Sequence, residues 1–487
     1  MRTHIGRRLS LAAACFTTVA ALAAGPANAM ILPPSGGTQT GPPVSAVSGP
    51  LVAATPVTVA VTTTKLRSVP ASYYLGFSFE SSQTDLSNIF STTGEYPALL
   101  KNLGYGVLRF GGKSVDTSSY HGITAGNLAS LATLVSETGW KVNYSENLGY
   151  FNASKVASDA KTVAAKLGSH LSAFACGNEP EDYVAHGLRP AGYTEANYLT
   201  DAASCLAAVR AGAPGAALSG PNTFHVSWLP SYAAAVKAGK LPVGTIAEQY
   251  YPMSLCGKTP TPGGAPKLLS RTTAYYEGLQ LNSIVSAVAA AGKPFILGET
   301  NSYSCSGLPG VSNTYAAALW AVDWALLAAE KGATGIYFHG SLSTTCQPYT
   351  PICKTGTNQY VAAPLYYGLL FTHLLGSGQM LGTTVSTTTN IAAHAVTSGG
   401  KTSVVVENLG ATTSALTLKA AGVSGTASVL HLTGGSLAAT TGIKIQGAAV
   451  SSSGTFVPGA ATHIICSAGV CKLSIAPYSA VIVHLPA

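Results

Sequence analysis

The sequence predicts an α/β protein, a (β/α)8 barrel followed by a C-terminal antiparallel β-sandwich, and three observations carry that prediction. Eight short apolar runs alternate with helical stretches, an arrangement that fits the ~250-residue size of a (β/α)8 barrel. Polar and charged residues recur where those runs end, and the C-terminal ends of barrel strands converge on one face. Beyond about Gly376 the texture changes to short alternating strands separated by Gly and Thr, the pattern of a small β-sandwich.

The predicted strands are Tyr74–Phe79, Val107–Phe110, Val142–Glu146, Leu171–Ala175, Ala217–Ser219, Thr245–Tyr251, Pro294–Leu297 and Gly335–Phe338. Helical periodicity is clearest at Leu128–Glu137, Ser154–Leu167, Glu195–Arg210, Trp228–Ala238, Ala274–Ala291 and Tyr315–Lys331, with a last stretch at Leu365–Leu375. A doubly wound open sheet shares this alternation, but the recurrence of functional residues at strand ends favours the barrel. Sandwich strands are expected at Ser403–Glu407, Ala415–Leu418, Ala427–Leu432 and Ala480–Leu485. Val57–Thr64 alternates apolar residues with Thr and has no barrel partner, so it is expected to join the sandwich. The implied division is a leader over 1–29, a flexible lead-in over 30–55, a sandwich strand over 56–66, a catalytic barrel over 67–376 and a sandwich over 377–487.

Arg2, Arg7 and Arg8 precede the apolar run Leu9–Ala24, and Ala27-Asn28-Ala29 offers small residues for cleavage. This is the pattern of a secretory signal peptide and implies an extracellular or periplasmic protein. Cys15 falls inside the leader, which leaves eight of the nine cysteines in the mature chain, an even number that argues for disulfides. Cys346 with Cys353 and Cys466 with Cys471 read as loop staples, and elimination then pairs Cys176 with Cys205 and Cys256 with Cys305. No CxxC spacing occurs, so no zinc site is expected.

Charged residues make up only 9% of the 487, and the net charge of +8 comes without a basic run in the mature chain. Nucleic-acid binding is therefore not expected, and no segment after the leader is apolar enough to span a membrane. Gly111-Gly112-Lys113-Ser114 resembles the end of a phosphate-binding loop, but Val107 stands where its first glycine is required. Neither GxSxG nor HExxH occurs, which removes the commoner esterase and metalloprotease readings.

Two stretches share a design. Leu171–Glu181 (LSAFACGNEPE) is an apolar strand that ends in Asn178-Glu179-Pro180, and Pro294–Ser302 (PFILGETNS) ends at Glu299 with Asn301 behind it. Carboxylates on the fourth and seventh strands of a barrel face one another across its mouth, as glycosidic bond cleavage requires. Arg109 ends the second strand and is expected to lower the pKa of the nucleophile. Tyr251 is expected to donate to Glu299, while Tyr250 packs. Asn178, His339, Glu80 and Asp116 are candidate sugar-binding residues at strand ends.

GFSFE, LRFGG, GNEP, GETNS and YFHG, in this order and at these intervals, resemble glycoside hydrolase family 79, which contains β-glucuronidases and is related to heparanase. The likeness extends over nearly all of the mature chain. It implies Glu179 as acid/base, Glu299 as nucleophile, no metal or other cofactor, and a pocket for the carboxylate of glucuronic acid that includes Tyr349. Bacterial relatives add a second Tyr and a Gly in the loop after the nucleophile, where this chain has Tyr303-Ser304-Cys305-Ser306-Gly307, a departure that bears on glucuronate selectivity. The expected activity is a secreted retaining β-glucuronidase acting on a glucuronic acid-containing glycoside or glycan. A retaining β-glycosidase for a neutral sugar (glucoside, xyloside or arabinoside) and a non-catalytic glycan-binding barrel are the alternatives.

Overall fold

A computed structural model describes residues 54–86, 89–257, 263–386 and 389–486. The expected leader and all but the last two residues of the lead-in lie outside them. Among the described residues no helix is long and apolar enough to cross a membrane.

Eight parallel strands form one sheet: Leu75–Glu80, Val107–Gly111, Lys141–Glu146, Leu171–Cys176, Ser219–Thr223, Thr245–Tyr250, Phe295–Thr300 and Ala333–Gly340. We number these the first to eighth barrel strands. The first pairs with both the second and the eighth. The fourth and fifth meet through an isolated parallel bridge at Phe174 and Leu218, so the barrel is nearly closed.

A helix follows each strand: Glu95–Asn102, Ala125–Thr138, Ala153–Leu167, Glu195–Gly212, Leu229–Lys237, Arg271–Val288, Tyr315–Lys331 and Pro364–Leu375. Local chemistry sets their starts. Thr124, Asn152 and Ser270 accept N-terminal backbone N–H groups, and Thr194 forms a capping box with Asn197. Each such cap is worth ~1 kcal/mol. The helix Glu95–Asn102 escapes a periodicity reading because it is only 8 residues long and contains Pro97. The fifth strand runs past its expected end, through Gly220 and Pro221, two residues that ordinarily argue against a strand interior.

The C-terminal part differs from the expected sandwich. Its strands do not form two separate sheets but one sheet closed on itself. The ring runs Gly425–Thr433, Thr462–Ser467, Val470–Ile475, Ser414–Lys419, Thr55–Val69, Gly378–Val385, Ile391–Ser398, Lys401–Asn408 and Ser479–His484, then back to Gly425–Thr433. Thr55–Val69 enters as a long strand, antiparallel to Gly378–Val385 and parallel to Ser414–Lys419.

The reason is that parts of this sheet are buried on both faces. Val404, Val406, Val481 and Val483 fill the interior of the ring. Their alternating neighbours Val405 and Ile482, with Leu430 and Leu432, pack outward into the barrel's core cluster. Both faces of SVVVEN and AVIVH are apolar for that reason. The seventh helix, Tyr315–Lys331, is buried along almost its whole length, and Tyr315 Oη donates to Leu432 O at 2.9 Å.

Four disulfides join Cys176 to Cys205, Cys256 to Cys305, Cys346 to Cys353 and Cys466 to Cys471, the pairing expected from elimination. Three of them involve the C-terminal ends of barrel strands or the segments that follow. Cys176 ends the fourth strand, Cys256 and Cys305 tie the segments after the sixth and seventh, and Cys346–Cys353 closes the loop after the eighth. A disulfide constrains the unfolded chain, an effect typically worth about 2–4 kcal/mol.

Candidate active site

Arg109 is the centre of the barrel mouth. It sits near the end of the second strand, is fully buried and carries a charge that needs partners there. Its Nη1 donates to Ser78 Oγ and to Glu299 Oε2, both at 2.8 Å, and its Nη2 donates to Asn178 Oδ1 at 2.7 Å. One guanidinium thus connects the first, fourth and seventh strands. The two stretches ending in Glu179 and Glu299 are brought together by it, although 120 residues separate them in sequence.

Glu299 is held at both oxygens. Oε2 takes the Arg109 bond and lies 3.4 Å from His339 Nδ1, while Oε1 accepts from Tyr251 Oη at 2.8 Å. Burial by itself raises this carboxyl. The charges of His339 and Arg109 and the hydrogen bonds from Tyr251 and Arg109 outweigh it, and the net effect holds Glu299 below the usual carboxylate range. Tyr250, one residue earlier, turns the other way and packs on Trp324 with ring centroids 5.4 Å apart.

Glu179 stands in left-handed backbone (φ 47°, ψ 60°), and its N–H donates to Asn222 O at 2.9 Å. Its carboxyl has no hydrogen-bond partner among the described residues. Burial, then the charges of Glu299, Glu181 and Asp182, push it well above the usual range, opposed by Arg109. Non-glycine residues in this backbone region are uncommon, and here the conformation follows a run of supports. Asn178 N donates to Asp116 Oδ2, Asn178 Oδ1 also accepts from Gln249 Nε2 at 2.7 Å, and Gln249 Nε2 reaches Asn222 O at 3.2 Å.

Asp116 therefore has a different place from the one expected. Its oxygens accept from the backbone N–H of Leu148, Gly149 and Asn178 and from Tyr183 Oη, all within 2.8–2.9 Å. Burial pushes its carboxyl up to about 6 against these four donors. With all its bonds made inside the protein, it holds the Asn178–Glu179 backbone instead of presenting itself to a sugar hydroxyl.

Glu80 stands at the end of the first strand. Oε2 accepts from Ser114 N (2.8 Å) and Ser114 Oγ (2.5 Å), and Oε1 lies 4.0 Å from His339 Nε2. The apparent phosphate loop thus cradles a carboxylate. A Cβ at Gly112 (φ 67°) would stand 2.6 Å from Glu80 Cδ, so glycine is required there. His339 Nδ1 also contacts Ser78 Oγ at 3.1 Å, and its ring meets Tyr349 edge-on with centroids 5.6 Å apart. Asn301 Nδ2 donates to His339 O and Tyr349 O, and so fixes both. Tyr349 further abuts Gly307, where an added Cβ would lie 2.8 Å from Tyr349 N.

Sequence reasoning passed over Gln249, Ser78 and Asn222. Gln249 had a signal, since an amide in a barrel strand must be satisfied across the barrel interior. Glu181 was also passed over; its Oε1 accepts from Thr223 Oγ1 and from the backbone of Phe224 and His225, which anchors the loop beside Glu179.

Known proteins share parts of this sequence and its fold. No family model matches it. A β-glucuronidase of Neurospora crassa is 40% identical over 84 residues, 17% of this chain and 15% of that protein. A β-glucuronidase of Aspergillus niger is 26% identical over 262 residues, 49% of this chain and 48% of that protein. The chain thus spans at most about half the length of these curated relatives. Among solved structures, a 4-O-α-L-rhamnosyl-β-D-glucuronidase from Fusarium oxysporum 12S superposes with a TM-score of 0.71 at 20% identity, over 88% of this chain and 100% of that one. A family 51 arabinofuranosidase from Xanthomonas axonopodis pv. citri gives 0.64 at 12% identity, over 88% and 100%. The chain shares its fold with these two solved enzymes.

Proposed function

We propose that this chain is a secreted retaining glycoside hydrolase of family 79 type that removes terminal β-linked glucuronic acid from glycosides or glycans. Glu299 attacks the anomeric carbon and forms a glycosyl ester. Glu179 gives its proton to the departing oxygen, then takes one from the water that hydrolyses the ester. The observation that carries the reading is the opposite treatment of the two carboxyls: Glu299, bonded to Arg109, is held below the usual carboxylate range, while Glu179, whose neighbour Asn178 takes the other guanidinium nitrogen, is pushed well above it. The partial likeness to two proteins named β-glucuronidase supports the choice of sugar.

Asn178 gives its amide oxygen to Arg109 and Gln249, which turns its NH2 group to a sugar hydroxyl beside the reacting carbon. Glu80, Tyr251, His339 and Tyr349 bind the rest of the ring, with Tyr349 donating to the uronate carboxylate. Arg109 positions the nucleophile.

The neutral-sugar reading has one observation in its favour. The charged groups that Tyr349 feels are Glu299 and Glu80, both negative, and neither attracts a uronate. A panel of aryl β-glycosides separates the readings. Turnover of the glucuronide well above that of the glucoside, xyloside and arabinoside is expected. Preference for a neutral sugar overturns the glucuronidase assignment, and binding without turnover across the panel overturns catalysis altogether.

A further inference from the structure

A second group of ionisable side chains lies outside the barrel mouth, where the seventh helix packs on the C-terminal ring. Asp323 and Glu330 come from the helix Tyr315–Lys331, His394 from the strand Ile391–Ser398 and Glu407 from Lys401–Asn408. His394 pairs with Val405 and Ala392 with Glu407, so His394 and Glu407 are diagonal neighbours on one face of the sheet. Ligand atoms of Asp323, His394 and Glu407 all lie within 4.8 Å of one another, and all three residues are buried.

We infer that Asp323, His394 and Glu407 bind one first-row divalent cation, Zn2+ in the first instance, which joins the barrel to the C-terminal ring.

Glu407 carries the argument. It is 0% exposed, and neither carboxylate oxygen has a hydrogen-bond partner among the described residues. A buried ionised carboxylate without partners is severely penalised. Protonation removes the charge but gives neither oxygen a donor, so the side chain still lacks an explanation. A cation held between Glu407 and its two neighbours satisfies it directly.

The surroundings fit a metal centre in a second way. His394 Nδ1 lies 2.7 Å from Glu330 Oε1, the carboxylate–histidine arrangement that fixes the tautomer and leaves Nε2 as a ligand atom. Nε2 is the nitrogen that faces Asp323, at 2.9 Å from Oδ1. Asp323 Oδ2 holds Arg271, and Oδ1 and Nε2 are paired with each other, so a cation enters by replacing the proton between them. A cation on Nε2 takes the place of its proton, and three carboxylates and one guanidinium then leave two negative charges, which a dication balances. One imidazole with two carboxylates suits zinc, and manganese is the harder alternative.

An approach exists as well. A surface cavity of about 290 Å³ is lined by Asp323 and His394 together with Arg271, Tyr275 and Val385. The absence of cysteine spacing in the sequence does not bear on this site, because its ligands are an Asp, a His and a Glu drawn from three elements.

The test is calorimetric titration of the full mature chain, stripped with chelator, with ZnCl2 and separately with MnCl2, backed by elemental analysis after desalting. One equivalent of Zn2+ is expected, accompanied by a higher unfolding temperature. Glu407→Gln should abolish both the binding and the metal-dependent stabilisation, while its metal-free form unfolds no earlier than the wild type. Glu330→Gln leaves all three ligands in place and should weaken binding by roughly 10–100-fold. No tight equivalent of either metal on the wild-type chain overturns the inference, as does binding that Glu407→Gln leaves unchanged.

Discussion

At the end of the fourth barrel strand, Glu179 stands in left-handed backbone with an unbonded carboxyl and three negative charges close enough to push it up. At the end of the seventh, Glu299 has a hydrogen bond on each oxygen, and His339 and Arg109 stabilise its charge. Glu299 lies near the end of an apolar strand and Glu179 just beyond one; a disulfide cysteine, Cys305, follows the first, and another, Cys176, precedes the second. The difference lies in what each carboxyl meets: donors and cations for one, carboxylates and apolar burial for the other. A strand end delivers the side chain to the barrel mouth, and the groups around it decide which way its pKa moves.

The sharpest way to break this contrast is to remove the residue held ionised. Glu299→Ala should lower kcat on an aryl β-glucuronide by about 10⁴-fold or more, measured by release of the aryl group. Glu179→Ala should behave differently. On an aryl glycoside with a good leaving group the bond-breaking step should be little affected, while on an alkyl or glycan substrate kcat/KM should fall by about 10²–10⁴-fold. Equal, mild losses in both variants across both substrates would remove the distinction.

Asp116→Ala acts on the support rather than on either carboxyl. It leaves three buried backbone N–H groups and Tyr183 Oη without their acceptor, and about 3 kcal/mol of unfolding free energy should be lost in a urea titration. Activity should fall as well, because the Asn178–Glu179 backbone loses its anchor.

The smallest effect concerns pH. Glu299 must be ionised, so kcat/KM rises as pH climbs through its lowered pKa; Glu179 must be protonated, so kcat/KM falls as pH climbs through its raised one. Asp182→Asn deletes one of the charges that raise Glu179. The alkaline limb should move to lower pH, while the acid limb stays. Parallel profiles of the two proteins measure this directly.

Much of the architecture could be read from alternation because barrel strands buried on both faces are short apolar runs bounded by helices. What escaped was governed by context. Gly220-Pro221 sits in a strand that its neighbours complete, and Glu95–Asn102 is too short to show a period. Closure of the C-terminal sheet depends on pairing between Gly425–Thr433 and Ser479–His484, far apart in sequence. In the mouth, Arg109, Asn178, Tyr251, Glu299 and His339 stood out as polar residues ending or just following apolar runs. The position of Asp116 did not, because its donors come from Leu148, Gly149, Asn178 and Tyr183, none near it in sequence. Glu407 has the same character: an acid closing SVVVEN signals something only once both faces of that strand are known to be covered.

The division of labour between the two glutamates is tested most directly by trapping the glycosyl ester. Incubation with a 2-deoxy-2-fluoro-β-glucuronosyl fluoride, followed by peptide mapping by mass spectrometry, should place one sugar on Glu299 and none in Glu299→Ala. A label on Glu179, or unlabelled enzyme that releases product of inverted anomeric configuration, would contradict the account.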